Sequence, residues 1–280
     1  MFRGYASGEE RFLGFGFNTE FTMNKLFIIL AMSSAFVSIH AQVLYNNALA
    51  HGLTQEGLRT SNKPGGGSWS EVQAGNMVAG FRGSVNPGAF DRLADDFTVP
   101  VCGWHVSGAS FYMYQTDATG VTINGGLFEI RANNNGKVGG LVSTGSFKST
   151  GLTDIYRVFT NMPVDNRRIQ KVTADFDVDL AGGSYFVVWA TTGNVLRTGP
   201  WSPYLTKAGA QTVTGANALH SNTAGATWMT MQDGLKNQDL PFVLYGDANW
   251  NGSNNTIVPE PASFIVLGSA LLAIVKRRRK

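Results

Sequence analysis

The chain has 280 residues and a formal net charge of +3. That charge is uneven: residues 42–257 hold 14 basic and 15 acidic side chains, a net of −1, while the last five residues are all basic. With no basic face or stripe along this central part, nucleic acid is excluded as a partner, and one cysteine excludes an internal disulfide.

In chain order, residues 1–22 match no part of a targeting signal. They read as an over-extended reading frame with Met23 as the true start; the rival reading is a long leader to the signal that follows. Met23-Asn24-Lys25 is a short positive region. Leu26 to Val37 is an apolar run, and Ser38-Ile39-His40-Ala41 resembles a cleavage region. Residues 23–41 therefore read as a Sec-type signal peptide, with Gln42 as the mature N-terminus and the Sec translocon as the expected export partner.

Residues 42–250 read as one domain, long enough to bury a substantial core. Helical periodicity is nearly absent; residues 45–60 are the one weak helix-like stretch. Alternating segments rich in Val, Thr, Tyr and Phe recur between turns of Gly, Asn and Asp. This predicts an all-β fold, an antiparallel two-sheet sandwich of jelly-roll type. A terminal helix is expected at each end, one from the signal peptide and one from the tail.

Lys63-Pro64-Gly65-Gly66-Gly67-Ser68 predicts a surface loop. A phosphate-binding loop needs its lysine after the glycines and a helix beyond. Leu93 to Pro100 predicts a strand, and Trp104-His105-Val106 opens another. Along the stretch Ala109 to Thr116, Phe111 and Met113 share one face with Gln115, while Tyr112 and Tyr114 share the other. That strand is either buried on both sides or shows its tyrosines to solvent. Thr122 to Arg131 predicts a strand that turns at Asn133-Asn134-Asn135-Gly136, because Asn-Gly suits positive φ. Val138 to Phe147 returns, and Ile155 to Phe159 is a separate short strand.

Arg168 to Leu180 shows the clearest alternation. Val172, Ala174, Phe176, Val178 and Leu180 point one way; Thr173, Asp175, Asp177 and Asp179 point the other. Ser184 to Ala190 is near-continuously apolar and suits a central strand. Gly199-Pro200-Trp201-Ser202-Pro203-Tyr204 is a stiff aromatic loop. Asn217 to His220, Thr227 to Met231 and Pro241 to Gly246 complete ten or more strands.

Candidate chemistry is sparse. Cys102 precedes a strand, and His105, close in sequence but three residues on, points to the opposite face; an inert, partly buried thiol is expected. The aspartate row on Asp175, Asp177 and Asp179 cannot by itself supply the six to eight oxygens of a calcium site. It reads as a solvated, charged face that resists edge pairing. Asp247, Asn249 and Asn251 match the opening of a calcium-binding loop, but Val258 stands where a bidentate glutamate is required. These three are weak metal candidates, and residues 251–257 read instead as a polar linker. Glu56, Glu71 and Glu129 form no pair for glycoside hydrolysis by spacing. His51, His105 and His220 lie far apart in sequence, and no Gly-x-Ser-x-Gly turn is present. No catalytic residue and no cofactor are predicted, and the chain is expected not to be an enzyme. A secreted hydrolase is the remote alternative; a histidine clustered with two carboxylates in a concave pocket would favour it. Trp201 and Tyr204 are the best exposed aromatics for stacking on sugar rings, which keeps a carbohydrate-binding module open, against the alternative that they cap the core.

Residues 258–280 close the chain. Val258-Pro259-Glu260-Pro261 is followed by an apolar run to Val275 and by Lys276-Arg277-Arg278-Arg279-Lys280. As a helix the run would cover roughly 20 Å of a hydrocarbon core about 30 Å thick, short for a permanent span. The basic cluster holds the C-terminus on the cytoplasmic side. A single-pass anchor with a chance Pro-Glu-Pro is the competing reading.

This order of Pro-Glu-Pro, short apolar helix and basic cluster resembles the PEP-CTERM sorting signal of Gram-negative bacteria that make extracellular polysaccharide. The resemblance implies that exosortase, a membrane-embedded cysteine protease, cuts at or near Pro259-Glu260-Pro261 and passes the protein outward. It implies a surface or extracellular-matrix location, transient anchoring in the inner membrane, and extracellular polysaccharide, as in biofilm, as a candidate partner. Separately, blocks such as Ala94-Asp95-Asp96-Phe97-Thr98-Val99 and Gly199-Pro200-Trp201-Ser202-Pro203, across roughly residues 90–246, resemble a recurrent secreted bacterial β-sandwich with no assigned chemistry.

Overall fold

The computed structural model describes residues 41–53 and 56–248. Among them are β1 (Gln42–Asn46), α1 (Asn47–Ala50), β2 (Ser61–Asn62), β3 (Ser68–Val72), β4 (Phe81–Arg82) and β5 (Arg92–Val99). Then come β6 (Trp104–Met113), β7 (Ile123–Asn133), β8 (Val138–Phe159), β9 (Arg168–Leu180) and β10 (Gly183–Gly193). The short β11 (Trp201–Ser202), β12 (Leu219–Ser221), β13 (Met229–Thr230), β14 (Gln232–Asp233) and β15 (Lys236–Asn237) precede β16 (Phe242–Asp247). The fold is all-β and sandwich-like. No helix among the described residues is long and apolar enough to cross a membrane. The two expected terminal helices, and most of the signal peptide, lie outside the described residues.

The main strands run in the order β1-β16-β6-β9-β8-β7-β10-β5-β12-β13. β8 joins two layers. Its first part pairs with β7, from Val138↔Asn133 to Gly145↔Phe128. Its later part pairs with β9, from Ser146↔Asp175 to Tyr156↔Arg168. A strand that changes sheets needs a bend, and Gly145 stands at that point. A Cβ on Gly145 would lie 2.7 Å from Cζ of Phe176, so the ring packs on bare backbone.

The core fills the space between the layers. Leu93 and Phe97 of β5, Phe128 and Ile130 of β7, and Val187 and Trp189 of β10 meet Phe111 of β6, Val172 and Phe176 of β9, and Phe242 of β16. Phe111 lies 4.9 Å from Trp189 and 5.4 Å from Phe128, ring centroid to ring centroid. Such pairs add about 0.5–1.5 kcal/mol each beyond their buried area.

β9 follows its alternation. Val172, Ala174, Phe176 and Leu180 are buried and Val178 half-buried, while Thr173, Asp175, Asp177 and Asp179 face outward. The aspartate row does not guard an edge, however, because β9 lies between β6 and β8. Lys148 Nζ meets Asp175 at 2.7 Å, and His105 Nδ1 lies 2.7 Å from Asp179.

The outer face of this layer is covered near its end. Tyr112 and Tyr114 are buried in a second cluster with Leu58, Ile155 and Ile169, against which Trp201 packs. Burial pushes the Tyr114 hydroxyl up to about 12. β6 is thus buried on both sides here. The predicted break between Phe147 and Ile155 is absent: β8 runs unbroken through Lys148 to Asp154. That stretch is exposed or half-buried throughout, so it carries no apolar alternation to read. The Gly-rich loop at residues 63–67 does form a turn, but it is flanked by β2 and β3. β3 then pairs in parallel with β8, a departure from the antiparallel rule elsewhere in the ladders. The predicted turn is present, with Asn135 at φ 55° and Gly136 at φ 81°, and with Asn134 and Lys137 exchanging backbone hydrogen bonds.

Candidate functional site

Trp201 has Arg82 as its direct cross-strand partner in the β11–β4 ladder. Opposed residues of an antiparallel pair leave the same face with their Cβ atoms about 5 Å apart. Trp201 N donates to Tyr114 O at 2.9 Å, and Tyr114 N donates back to Trp201 O at 2.8 Å. Gly199 fits against the indole edge: a Cβ there would lie 2.5 Å from Trp201 Cδ1, and its φ of +101° favours glycine.

A cavity of about 310 Å³ opens at this position, with Arg82, Asn86, Val195, Arg197, Thr198 and Trp201 in its wall. No carboxylate lines it. Arg82 Nε lies 3.3 Å from Asp91 Oδ2, and Arg197 Nη1 donates to the Asp117 carbonyl. Asn86 is 8% exposed. Its Oδ1 accepts from Gly193 N at 2.9 Å, which fixes the amide orientation.

Tyr204, the other predicted sugar-stacking residue, is not exposed. It is 1% exposed, with the Arg157 guanidinium 4.2 Å from its ring centroid. Its hydroxyl donates to Asp233 Oδ2 at 3.4 Å. The loop therefore splits: Trp201 is half-buried and reaches a cavity, whereas Tyr204 is part of the interior. Arg157 itself is fully buried. Its Nε donates to Ala79 O at 2.7 Å, and its Nη1 to Ser70 Oγ at 2.9 Å and Thr206 Oγ1 at 2.7 Å.

A second cavity, about 410 Å³, is lined by Asp117, Thr119, Tyr156, Asp165, Asn166 and Arg168 among others. Here the aromatic ring is already engaged. Lys63 Nζ lies 5.0 Å and Arg168 Cζ 5.6 Å from the Tyr156 centroid, and Lys63 also pairs with Asp165 at 3.3 Å.

His105 lies near two carboxylates, Asp179 at 2.7 Å and Asp177 at 3.8 Å, on the outward face of the sheet, whereas His51 meets one carboxylate of a buried pair. His51 Nε2 contacts Asp239 Oδ2, and its Nδ1 lies 3.0 Å from Thr214 O. Asn47 Nδ2 donates to Asp95 Oδ2 at 3.0 Å and to Asp239 Oδ2 at 3.4 Å. Leu240 N donates to Asp95 at 2.9 Å, and Asn217 N to Asp239 at 3.3 Å. Burial first, and Asp239 beside it second, push the Asp95 carboxyl well above the ordinary range. The bond to Asp239 raises His51. The carboxylates are 1% and 2% exposed, so this cluster ties α1 to β5 and to the approach to β16 from inside the domain.

His220 Nε2 lies 3.7 Å from Asp91, and burial lowers its pKa. Glu129 is held by Arg131 at 2.5 Å. Cys102 is exposed rather than partly buried; its thiol faces Ala248 O at 3.8 Å. Asp247 ends β16, paired in register with His105; Asn249 and Asn251 lie outside the described residues. Among the described residues, no group of three or more His, Cys, Asp or Glu side chains is arranged to hold a metal ion.

Spacing gave no means of finding Arg82, Asn86 or Arg197, which reach Trp201 only through β4 and two loops. The described part is thus an all-β, sandwich-like domain with a cationic, aromatic cavity. The identity of the chain's end comes from comparison: residues 258–280 match the model of the PEP-CTERM protein-sorting motif. No curated protein and no solved structure matches the chain. The motif includes Val258 to Pro261 and Lys276 to Lys280. It implies processing by exosortase, a membrane protein, and export to the cell envelope or surface.

Proposed function

We propose that this chain is a non-enzymatic protein of the cell surface or extracellular matrix. The observation that carries the reading is the sorting motif at residues 258–280. In this reading the Sec translocon exports the chain through residues 23–41. The tail holds it briefly at the inner membrane, exosortase cuts near Pro259-Glu260-Pro261, and residues 42–250 act without the tail. A non-catalytic role is supported by how the titratable groups are used. Asp95 and Asp239 are consumed in hydrogen bonds to backbone and to Asn47 inside the domain. Fractionation of the native host tests the sorting step. The full chain should reach the surface or matrix, and a chain ending at residue 257 should not; equal distribution of the two would overturn it.

A second role on the same scaffold, contact with extracellular polysaccharide, is favoured by the half-buried Trp201 beside a cavity.

A further inference from the structure

We propose that the Trp201 cavity binds an acidic saccharide, a pyranose ring carrying a carboxylate. The inference rests on the polysaccharide reading and adds the charge class and the residues.

The argument begins with donors and acceptors. Arginine offers only donors, and Arg82 and Arg197 both line the cavity. Asn86 Oδ1 already accepts from Gly193 N at 2.9 Å, which turns this oxygen toward the backbone and leaves the NH₂ donors as its other polar group. With no carboxylate in the wall, the site is rich in donors and poor in acceptors. A neutral sugar presents hydroxyls, which need acceptors as well as donors to be satisfied. A carboxylate presents acceptors only, and a guanidinium matches it with two parallel bonds.

The ring comes from Trp201. Its indole and the Arg82 side chain leave the same face of the β4–β11 pair. An apolar plate beside a cationic fork suits a ligand with a flat carbon face and an anionic substituent at its rim. The volume of about 310 Å³ is at the low end for small-molecule sites, enough for about one sugar unit. Val195 in the wall is 68% exposed and its chain neighbour Leu196 90%, so apolar surface is present beside the cavity. By contrast, two carboxylates, Asp117 and Asp165, line the second cavity, so an anion would be repelled there.

The test measures binding to the full chain by calorimetry and tryptophan fluorescence. The probes are a hexuronic-acid trisaccharide, a neutral hexose trisaccharide and inorganic phosphate. The acidic trisaccharide should bind at least about tenfold more tightly than the neutral one and weaken as salt is raised. Arg82→Gln with Arg197→Gln should lower its affinity by about tenfold or more with the thermal melt unchanged. Trp201→Leu should abolish saccharide binding. Should Trp201→Leu fail to fold, the arginine pair still decides. Equal binding of neutral and acidic trisaccharides would overturn this proposal and leave the polysaccharide reading in place. Binding of neither would overturn both. Phosphate competing as well as the acidic trisaccharide would reduce the cavity to a simple anion site and overturn the saccharide assignment.

Discussion

Arg157 is the side chain whose loss should be felt most widely. It is fully buried on β8, yet its three bonds reach three separate segments: Ser70 on β3, Ala79 before β4 and Thr206 after β11. The guanidinium also stacks on Tyr204, whose hydroxyl reaches Asp233. Asp233 in turn accepts from Met77 N at 2.8 Å and Val78 N at 3.2 Å. The residue therefore pins the loops that carry β4 and β11, and with them the floor of the Trp201 cavity. Arg157→Met keeps most of the stem and removes the charge. Each bond from a charged donor is worth about 1.5–3 kcal/mol. Against their sum stands relief of the guanidinium's desolvation, several kcal/mol, and one nitrogen, Nη2, is buried without a partner. The balance is a loss of about 2–4 kcal/mol, a large part of a domain stability of about 5–15 kcal/mol. Urea unfolding followed by tryptophan fluorescence should show the midpoint falling by about 1–2 M. Hydrogen exchange should quicken around Met77 to Ala79. A midpoint that stays or rises would mean that the buried charge is a net burden and that packing alone holds the loops.

Two further outcomes follow from the same geometry. The bond to Asp239 raises the His51 pKa, so the folded state holds its proton more tightly than the unfolded chain. That contribution is complete below about pH 6.5 and is lost as pH rises through the folded value. Asp95 is raised as well and acts in the same sense, whereas His220 is lowered by burial and acts oppositely, below about pH 6.5. Stability should therefore fall as pH rises above about 6.5, and His51→Gln should flatten that slope; a wild-type slope retained in the variant would refute the assignment. Two glycines should also separate strain from crowding. Gly136→Ala has open space but a φ of +81° and should cost about 1–2 kcal/mol. Gly145→Ala would press on Phe176 and should cost about 1–3 kcal/mol, with local disturbance at the bend in β8. Denaturant midpoints and the Phe176 ring signals report the difference.

What could be read from the sequence was whatever one strand's own pattern records. β9 was legible because one face is buried and the other is charged over its whole length. The turn at Asn135-Gly136 was legible because two positive φ angles demand those residues. β8 was not, because its middle lies at the surface on both faces and its polar residues look like a loop. The aspartate row was assigned the right face but the wrong place, since pairing order is set by partners far along the chain. Trp201 and Tyr204 have the same local signal, and residues distant in sequence, Arg157, Phe81 and Asp233, enclose one of them. The cluster of Asn47, His51, Asp95 and Asp239 includes a bond across 192 positions, from Asn47 to Asp239, which no spacing rule reaches. The sorting tail, in contrast, is read as a linear signal, and for that reason it was legible in full.

The central claim is that this tail is a removable address. The most direct test is intact-mass and peptide mapping of the mature C-terminus of the protein recovered from the surface of its native host. The account predicts a chain that ends at or near Pro259-Glu260-Pro261 and lacks Lys276 to Lys280. Mature surface protein that still carries the intact basic cluster would contradict it.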